Sequence, residues 1–273
     1  SDGGTTWDLQ FTEPSAVPLF GCHFTDSLTG WACGAAGIIL HTSDGGLTWT
    51  EQTSGGADYF FRVNFVDDLN GWAAGGDSGV VASTTDGGAT WTVQGGLTDL
   101  YLYGVSFVDT NRGWVAGAAG DVAPTMGIIL NTADGGASWN IQHEDSTHWL
   151  FGVHFADTAN GWAVGADYQS AQGTVFRTTD GGLTWLVQPV AALFLIGVDF
   201  VDADTGWACG YASIVHTVNG GTTWIPQSPG VSQTLLGVDF ADPDSGWCVG
   251  SGPTVLRSTN GGTNWNQQFV PID

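Results

Sequence analysis

The chain has 273 residues and a formal net charge of −23, because 27 acidic residues are set against four arginines and no lysine. Such a surface repels nucleic acid phosphates and anionic lipid headgroups, which leaves cations, neutral glycans and basic proteins as favoured partners. Hydrophobic residues make up 42% of the chain, yet no apolar run approaches the roughly 18 to 20 residues that a membrane helix needs. We therefore expect a soluble, globular protein.

One short motif recurs along the whole chain and predicts a repeat architecture. Its clearest copy is Thr42–Trp49, and we call this segment the box. Its acidic or amide residue is Asp2, Asp44, Asp86, Asp134, Asp180, Asn219 or Asn260. The tryptophans that close the copies are Trp7, Trp49, Trp91, Trp139, Trp185, Trp224 and Trp265.

Between boxes, each repeat predicts four short strands separated by turn residues. In the third repeat they are residues 102–107, 114–117, 127–130 and 138–142. The first strand of each repeat contains a phenylalanine, and the second begins at a Gly-Trp pair. A four-stranded antiparallel sheet of this size cannot bury both faces alone, and stacking the sheets radially solves that problem. The pattern therefore predicts a β-propeller.

We predict one all-β propeller domain over residues 1–273. Its six blades are expected at residues 19–53, 59–95, 101–143, 149–189, 194–228 and 234–270. The seventh box, within residues 1–18, then belongs to a surplus N-terminal strand. Seven blades are the alternative if the boxes set the number. Whether the surplus strand pairs within one chain or between chains is left open.

The box itself is expected to be scaffold. An Asp-Gly pair between strands favours a hairpin turn, because glycine readily supplies the positive φ that the turn needs. The Asp or Asn side chain can accept backbone N–H bonds inside its own turn. The tryptophan that follows can pack its ring over the hairpin.

The motif Thr-x-Asp-Gly-Gly-x-Thr-Trp, with an upstream Gly-Trp-x-x-Gly, resembles the Asp-box (BNR-like) repeat, in the spacing of photosystem II stability/assembly factor-like propellers. The resemblance covers essentially the whole chain and implies a β-propeller. Sialidases and some secreted glycanases share the box more loosely. A sialidase would need three converging arginines, and the four arginines of this chain are scattered. The assembly-factor family is expected to dock partly through arginines, which are scarce here.

Irregular loops on a rigid scaffold are where binding residues tend to lie. Aromatic and polar residues collect on the face formed by the loops after the second and fourth strands. The candidate binding residues are Tyr59, Tyr101, Asp121, His143, Glu144, His148, Trp149 and Tyr168. Such a cluster would suit a protein side chain or a glycan.

Two further kinds of site are predicted from spacing. Carboxylate oxygens at alternate positions before a glycine are typical of calcium-binding loops. The candidate calcium ligands are Asp202, Asp204, Asp242 and Asp244. No other cofactor is expected. Pairing Phe24 opposite Trp31 would place Cys22 opposite Cys33, and Cys209 and Cys248 are expected to face each other between blades. Disulfides Cys22–Cys33 and Cys209–Cys248 would favour an extracellular or cell-surface location.

We therefore expect a non-catalytic extracellular module that presents loops from a rigid propeller to a protein or glycan, as a processed chain or a module of a longer protein. One alternative is a structural subunit of a surface layer or filament, assembled through the surplus N-terminal strand. The other is a divergent glycoside hydrolase, for which Asp199 and Asp239 are the carboxylate pair to inspect.

Overall fold

The structure, a computed structural model, describes residues 7, 17–55, 59–76, 78–118 and 127–269. The predicted fold class is confirmed: the protein is an all-β, six-bladed propeller, and each blade is a four-stranded antiparallel sheet in consecutive strand order. The described residues form no helix long and apolar enough to cross a bilayer. Six blades, rather than the alternative seven, are built from these residues. The predicted surplus N-terminal strand lies outside them, apart from Trp7.

The blades fall into two compact units. The unit within Leu9–Ser146 holds blades 1 to 3. Blade 1 consists of β1 (Leu19–Phe24), β2 (Gly30–Gly34), β3 (Ile39–Thr42) and β4 (Thr50–Gln52). Blade 2 consists of β5 (Phe60–Phe65), β6 (Gly71–Gly75), β7 (Val80–Thr84) and β8 (Thr92–Gln94). Blade 3 consists of β9 (Tyr101–Phe107), β10 (Gly113–Ala118), β11 (Gly127–Thr132) and β12 (Asn140–Asp145).

The unit within Thr147–Asp273 holds blades 4 to 6. Blade 4 consists of β13 (His148–Phe155), β14 (Gly161–Asp167), β15 (Gln172–Thr178) and β16 (Leu186–Leu193). Blade 5 consists of β17 (Leu195–Phe200), β18 (Gly206–Gly210), β19 (Ser213–Thr217) and β20 (Ile225–Gln227). Blade 6 consists of β21 (Leu235–Phe240), β22 (Ser245–Gly250), β23 (Thr254–Thr259) and β24 (Asn266–Gln267). Within each unit the first strands of neighbouring blades lie side by side.

The register of the first two strands differs from the prediction by one residue. Phe24 lies opposite Gly30, so Cys22 is opposite Ala32 and Cys33 is opposite Gly21. The cause is the phenylalanine ring, which covers the glycine: a Cβ at Gly30 would lie 2.4 Å from it. The expectation that Cys22 lies directly opposite Cys33 is therefore wrong, and no disulfide joins the two residues in the structure.

Blades pack through an aromatic stack that repeats from interface to interface. The Gly-Trp tryptophan of one blade lies flat on the first-strand phenylalanine of the next, as Trp31 does on Phe65 with ring centroids 3.5 Å apart. The Trp31 Nε1–H donates to the Gly87 carbonyl oxygen of the next box at 3.1 Å. Trp91, which closes that box, meets Phe65 edge-on at 6.0 Å. Four phenylalanines contact two tryptophans each and join two blades: Phe65, Phe107, Phe200 and Phe240.

The box turns are held by their own side chains. In blade 1 the Asp44 Oδ1 accepts the Thr48 backbone N–H at 2.8 Å, and its Oδ2 accepts the Thr48 hydroxyl at 2.6 Å. Where asparagine replaces aspartate, the Asn219 Oδ1 accepts the Thr223 N–H and its Nδ2 donates to the Thr223 hydroxyl, both at 2.9 Å. Amide and carboxylate therefore make equivalent bonds, which is what a scaffold role requires.

Candidate functional site: aromatic clusters at first-strand bulges

Every first strand contains a β-bulge that sets one large apolar residue outside the ladder. In blade 2, for example, Phe60 is opposite Gly75 and Arg62 is opposite Ala74, which leaves Phe61 without a cross-strand partner. The six extra residues are Phe20, Phe61, Tyr103, Phe151, Ile196 and Leu236. Bulges re-aim side chains and are common next to binding and active sites.

The last glycine of Gly-Trp-x-x-Gly makes the bulge sterically possible. At Gly75, a Cβ would lie only 1.9 Å from the carbonyl oxygen of Tyr59. At Gly165, the corresponding Cβ would lie 1.7 Å from the carbonyl oxygen of Trp149. Because these positions are glycine, the second strand can come close to the backbone of the first strand at Tyr59 and at Trp149. Both of these residues are candidates for binding.

In the unit of blades 1 to 3, the bulge residues belong to a group of five aromatic rings, which we call the five-ring cluster. Its members are Phe20, Tyr59, Phe61, Tyr101 and Tyr103. Neighbouring ring centroids lie 4.8 to 6.5 Å apart. Tyr59 and Phe61 are nearly parallel, at 6.1 Å and 7°. Phe20 is 38% exposed and Tyr59 is 40% exposed, so the cluster reaches solvent.

Two polar groups lie in or beside this cluster, the Tyr103 phenol and the Arg62 guanidinium. Burial, and after it the neighbouring Tyr101, raises the pKa of Tyr103, so its phenol stays neutral and able to donate a hydrogen bond. The Arg62 Nη1 donates to the Phe20 carbonyl oxygen at 3.0 Å and so ties the first strand of blade 2 to that of blade 1. The Arg62 bond joins the two first strands that carry Phe20 and Phe61.

The unit of blades 4 to 6 has a smaller group, the four-ring cluster, made of Trp149, Phe151, Tyr168 and Phe194. Tyr168 meets the Trp149 ring edge-on at 4.9 Å and is half exposed. Phe194 has a φ of 42°, which is uncommon for a non-glycine residue and marks local strain. Its backbone N–H donates to the Ala171 carbonyl oxygen at 3.2 Å.

The structure brings together some candidates of the sequence analysis. Tyr59 and Tyr101 both belong to the five-ring cluster, and Trp149 and Tyr168 are in contact within the four-ring cluster. The sequence analysis missed three members of the five-ring cluster, Phe20, Phe61 and Tyr103. Each follows another apolar residue directly, as Tyr103 follows Leu102, whereas strict alternation would place a polar residue there. That break in period marks the bulge.

The other candidates lie elsewhere. His143 and Glu144 are on β12, the fourth strand of blade 3, so they are not part of the first-strand surface; the His143 Nε2 lies 3.6 Å from an Asp145 carboxylate oxygen. His148 begins β13, where its Nδ1 lies 2.8 Å from the Thr147 hydroxyl. Asp121 lies outside the described residues.

Two of the four candidate calcium ligands, Asp202 and Asp242, accept hydrogen bonds within their own turns. The Asp202 Oδ1 accepts the backbone N–H groups of Asp204 and Thr205 at 2.8 and 2.7 Å. Asp242 does the same with Asp244 and its neighbour, both at 2.8 Å. These amide bonds lower the pKa of both carboxyls. No three potential metal ligands come together in the described part of the chain. Calcium binding at these turns stays a prediction.

Asp199, one of the two carboxylates considered for glycoside hydrolysis, is part of a blade-to-blade contact. The Asp199 Oδ2 accepts the Phe240 backbone N–H of the next blade at 2.8 Å. Burial raises the pKa of Asp199 to about 6, against the lowering effect of its backbone hydrogen bonds. Asn64 bonds Phe107 N–H in the same way, also at 2.8 Å, although an amide has no acid function. The shared geometry favours a structural role for Asp199.

The second cysteine pair is in contact. Cys209 and Cys248 are buried at the interface of blades 5 and 6, and both are thiols. Burial, and after it a hydrogen bond with Cys209, raises the pKa of Cys248 well above its ordinary value. The disulfide between them stays a prediction.

Comparison with known proteins places the chain among propellers. No protein-family model and no curated protein matches it. A solved structure of YCF48 bound to D1 peptide is 21% identical, covers 93% of this chain and 83% of its own, and superposes with a TM-score of 0.68. YCF48 from Cyanidioschyzon merolae is also 21% identical, with 94% and 87% covered and a TM-score of 0.67.

Proteins of other activities share the architecture. The WD40 repeats of RRP9 are 10% identical, with 96% of this chain and 83% of that chain covered and a TM-score of 0.73. A GH74 xyloglucanase from Xanthomonas campestris is 11% identical, with 87% and 50% covered and a TM-score of 0.59. At these identities the chain is similar to all of them in fold alone, and the fold serves both binding proteins and enzymes.

Proposed function

We propose that this chain is a non-catalytic interaction module that binds a protein partner through the five-ring cluster. The observation that carries the proposal is the cluster itself: five aromatic rings, each in contact with at least one other, of which three are set outside the ladder by bulges and Phe20 and Tyr59 are exposed. Aromatic side chains supply large, rigid contact area and are enriched among residues that dominate protein binding.

The charge of the chain narrows the kind of partner. A net charge of −23 draws basic surfaces and repels acidic ones. Open faces of Tyr and Phe rings also attract Lys and Arg side chains. The partner is therefore a basic segment whose apolar and cationic side chains lie against the rings.

Two of the comparisons support a peptide or protein partner. One similar structure is of YCF48 with a peptide bound, and another is a set of WD40 repeats. An extracellular or cell-surface setting is part of the same proposal. It is supported by the contact between Cys209 and Cys248, which an oxidising environment would convert into a disulfide.

The test is selection from a phage-displayed library of random peptides on the immobilised chain, followed by titration of one enriched synthetic peptide at low and high salt. We expect a basic consensus, and an affinity that falls as salt rises. Phe61→Ala is expected to weaken the peptide about tenfold or more, because truncating a central aromatic residue removes much of the contact. Tyr103→Phe, which keeps the ring, should bind nearly as well as the parent.

Tyr211→Ala is the matched control, since Tyr211 is 53% exposed but lies outside both clusters. Equal binding by the parent chain and Phe61→Ala would contradict the proposal, as would the absence of any consensus peptide. Signal on a neutral glycan array that disappears in Trp149→Ala would instead favour the four-ring cluster as a glycan site.

A further inference from the structure

A glutamine follows the tryptophan of every box by three residues, on or directly after the fourth strand of each blade. These glutamines are Gln10, Gln52, Gln94, Gln142, Gln188, Gln227 and Gln268. Where two successive blades lie in the same unit, the glutamine of one blade lies beside the box of the next. Its carboxamide can both donate and accept hydrogen bonds, so it can join the two blades.

At two interfaces the glutamine makes both kinds of bond. Between blades 1 and 2, the Gln52 Oε1 accepts the Trp91 Nε1–H at 3.2 Å, and the Gln52 Nε2 donates to the Gly87 carbonyl oxygen at 2.9 Å. Between blades 5 and 6, Gln227 makes the same two bonds to the next box, at 3.4 and 2.8 Å. We call these two the closed interfaces.

At two other interfaces the bond between glutamine and tryptophan is not made. Between blades 4 and 5, the Gln188 Oε1 and the Trp224 Nε1 are both buried, and neither has a hydrogen-bond partner among the described residues. Between blades 2 and 3, the same is true of the Gln94 Oε1 and the Trp139 Nε1. The Gln94 Nε2 donates instead to the Ala137 carbonyl oxygen at 3.3 Å. We call these two the open interfaces; an unpaired buried donor and acceptor at each favour a ligand that pairs with both.

The second glycine of each box shows where the carboxamide lies. A Cβ at Gly88, at a closed interface, would lie 2.0 Å from the Gln52 Oε1. At Gly221, in an open interface, the nearest atoms to such a Cβ would be the indole nitrogens of Trp162, at 3.0 Å, and Trp224, at 3.3 Å. The position of the carboxamide is therefore not filled by Gln188 and is lined by two indole nitrogens.

The residue across the ladder also differs between the two kinds of interface. Directly opposite residues share one face of a sheet, so this residue packs beside the glutamine. Valine is smaller than isoleucine by one methylene and leaves more room there. The pairs are Gln52 with Ile39 and Gln227 with Ile214 at the closed interfaces, and Gln94 with Val81 and Gln188 with Val175 at the open ones.

A groove borders each open interface. One of about 430 Å³ is lined by residues 188–191 of β16 and by residues 222–224 of the next box, so it includes both Gln188 and Trp224. The other, of about 380 Å³, is lined by Gln94 and by residues 134–137 of the next box, among others. Both volumes lie in the range of ligand sites.

We propose that each open interface binds the side chain of a glutamine from a partner segment that lies in the groove. Between blades 4 and 5, the ligand's carbonyl oxygen accepts the Trp224 indole N–H. Its NH₂ group donates to the Gly220 carbonyl oxygen and to the Gln188 Oε1. A carboxamide has one acceptor oxygen and two N–H donors, so one glutamine makes all three bonds. The site is separate from the five-ring cluster and does not depend on it.

The box carbonyl can take the additional bond. At a closed interface, the Gly87 carbonyl oxygen accepts both the Trp31 Nε1–H, at 3.1 Å, and the Gln52 Nε2–H, at 2.9 Å. At the open interface, the Gly220 carbonyl oxygen accepts the Trp162 Nε1–H at 2.9 Å. Because a carbonyl oxygen has two lone pairs, Gly220 can accept from the ligand as Gly87 accepts from Gln52.

The chemistry of the site excludes the other long polar side chains. An ionised glutamate has no donor for the Gly220 carbonyl or the Gln188 Oε1, and the net charge of −23 repels it. Lysine and arginine have no acceptor for the Trp224 indole N–H. Because the unpaired atoms are buried, the ligand is a side chain that inserts between the blades rather than a group that lies on the surface.

The experiment is a titration of the full chain, labelled with ¹⁵N-tryptophan, with millimolar acetyl-Gly-Gln-Gly-amide. The indole N–H signals are followed in ¹⁵N–¹H correlation spectra and assigned with single Trp→Phe variants. The signals of Trp139 and Trp224 should move downfield and saturate, because each indole gains a hydrogen bond. Those of Trp91 and Trp265 should not move, because Gln52 and Gln227 already accept from them.

Variants and other ligands make the result specific. Gln52→Ala removes the carboxamide from a closed interface, so the Trp91 signal should then respond to the peptide as well. Phe61→Ala should respond like the parent, because the five-ring cluster takes no part. Acetyl-Gly-Glu-Gly-amide should move none of these signals.

Three outcomes would overturn the proposal. The first is that the Trp139 and Trp224 signals do not move in the parent. The second is that the Trp91 signal responds equally in the parent and in Gln52→Ala, or that the glutamate peptide acts like the glutamine peptide. The third is a response to N-acetylglucosamine alone, which would assign the site to an acetamido sugar instead of a glutamine.

Discussion

At the residue scale, the box carboxylates act as fixed acceptors inside their turns. Asp86 accepts the Thr90 hydroxyl at 2.6 Å and the Thr90 backbone N–H at 2.9 Å. These bonds, the hydroxyl bond first, lower the pKa of Asp86 to about 2. Asp134 behaves alike, with its pKa lowered to about 2 first by the Ser138 hydroxyl. Both side chains are bonded to the turn in their charged form, which is why protonation works against folding.

The sign of the pH dependence follows from these shifts. A carboxyl whose pKa is lower in the folded state stabilises that state above its ordinary pKa, and the stabilisation is lost as pH falls toward about 2. We expect the melting temperature of the parent to fall between about pH 4 and about pH 2. Asp86→Asn with Asp134→Asn should flatten that fall, because Asn219 and Asn260 already fill the same position. Calorimetry across this range measures it; an equally steep fall would contradict the prediction.

The stacked tryptophans make a second prediction at this scale. Trp72 lies 3.6 Å from the Phe107 ring, and its Nε1–H donates to the Gly135 carbonyl oxygen at 2.8 Å. Trp72→Phe should lower the free energy of unfolding by the cost of the smaller ring plus about 1 kcal/mol for the lost hydrogen bond. Trp72→Ala should lower it by about 3 to 5 kcal/mol in all.

Urea titration gives the free energy of unfolding of both variants. Trp185→Phe is the control, because it makes the ring smaller without removing a hydrogen bond. The Trp185 indole nitrogen has no hydrogen-bond partner among the described residues, and its ring meets Phe155 edge-on. Equal costs for Trp72→Phe and Trp185→Phe would show that the Gly135 bond adds nothing.

At the element scale, the bulge of each first strand depends on the last glycine of the Gly-Trp-x-x-Gly motif on the second strand. The glycine lets the bulged strand approach, and the bulge then places one apolar residue per blade outside the ladder. In blades 1 to 4 that residue is aromatic, whereas blades 5 and 6 have Ile196 and Leu236. The bulge position therefore supplies Phe20, Phe61 and Tyr103 to the five-ring cluster and Phe151 to the four-ring cluster.

Gly75→Ala tests this coupling. The new Cβ would overlap the Tyr59 carbonyl oxygen, so we expect a cost of about 1 to 3 kcal/mol and a displaced Tyr59 ring. Urea titration and binding of the selected peptide measure the two effects. Gly95→Ala is the matched control, since its Cβ would meet only a Val80 methyl at an ordinary 3.7 Å. Similar results for both variants would refute the coupling of glycine and bulge.

At the scale of the whole molecule, neighbouring blades are joined by side chains that reach across: Trp31 to Phe65, Asp199 to Phe240, and Cys209 to Cys248. Within each unit, a blade is thus joined to the one that follows it.

The cysteine contact gives a prediction at this scale. Oxidised glutathione should convert the Cys209 and Cys248 thiols into one disulfide, the two electrons and two protons passing to glutathione. The protein should lose about 2 Da in intact mass and melt at a higher temperature, because a cross-link restricts the unfolded chain. Cys209→Ala should show neither effect. An unchanged mass after prolonged oxidation of the parent would count against the disulfide.

The amino-acid sequence by itself determined the fold class and the four-stranded blade, because box spacing and Gly-Trp pairs recur with one period and a sheet of that size needs neighbours. The count of six stood beside an alternative of seven. The sequence also marked Tyr59, Tyr101 and Trp149 at strand entries and Tyr168 in an irregular loop, since aromatic residues there are visible without coordinates. What it could not supply was the register, in which Phe24 meets Gly30 rather than Trp31.

Only the tertiary structure decided which side chains meet. Register depends on a ring covering a glycine on the neighbouring strand, and the bulge depends on a close backbone approach at Gly75, so neither is a property of one strand's pattern. For the same reason Phe20, Phe61 and Tyr103 were not among the candidates predicted from the sequence.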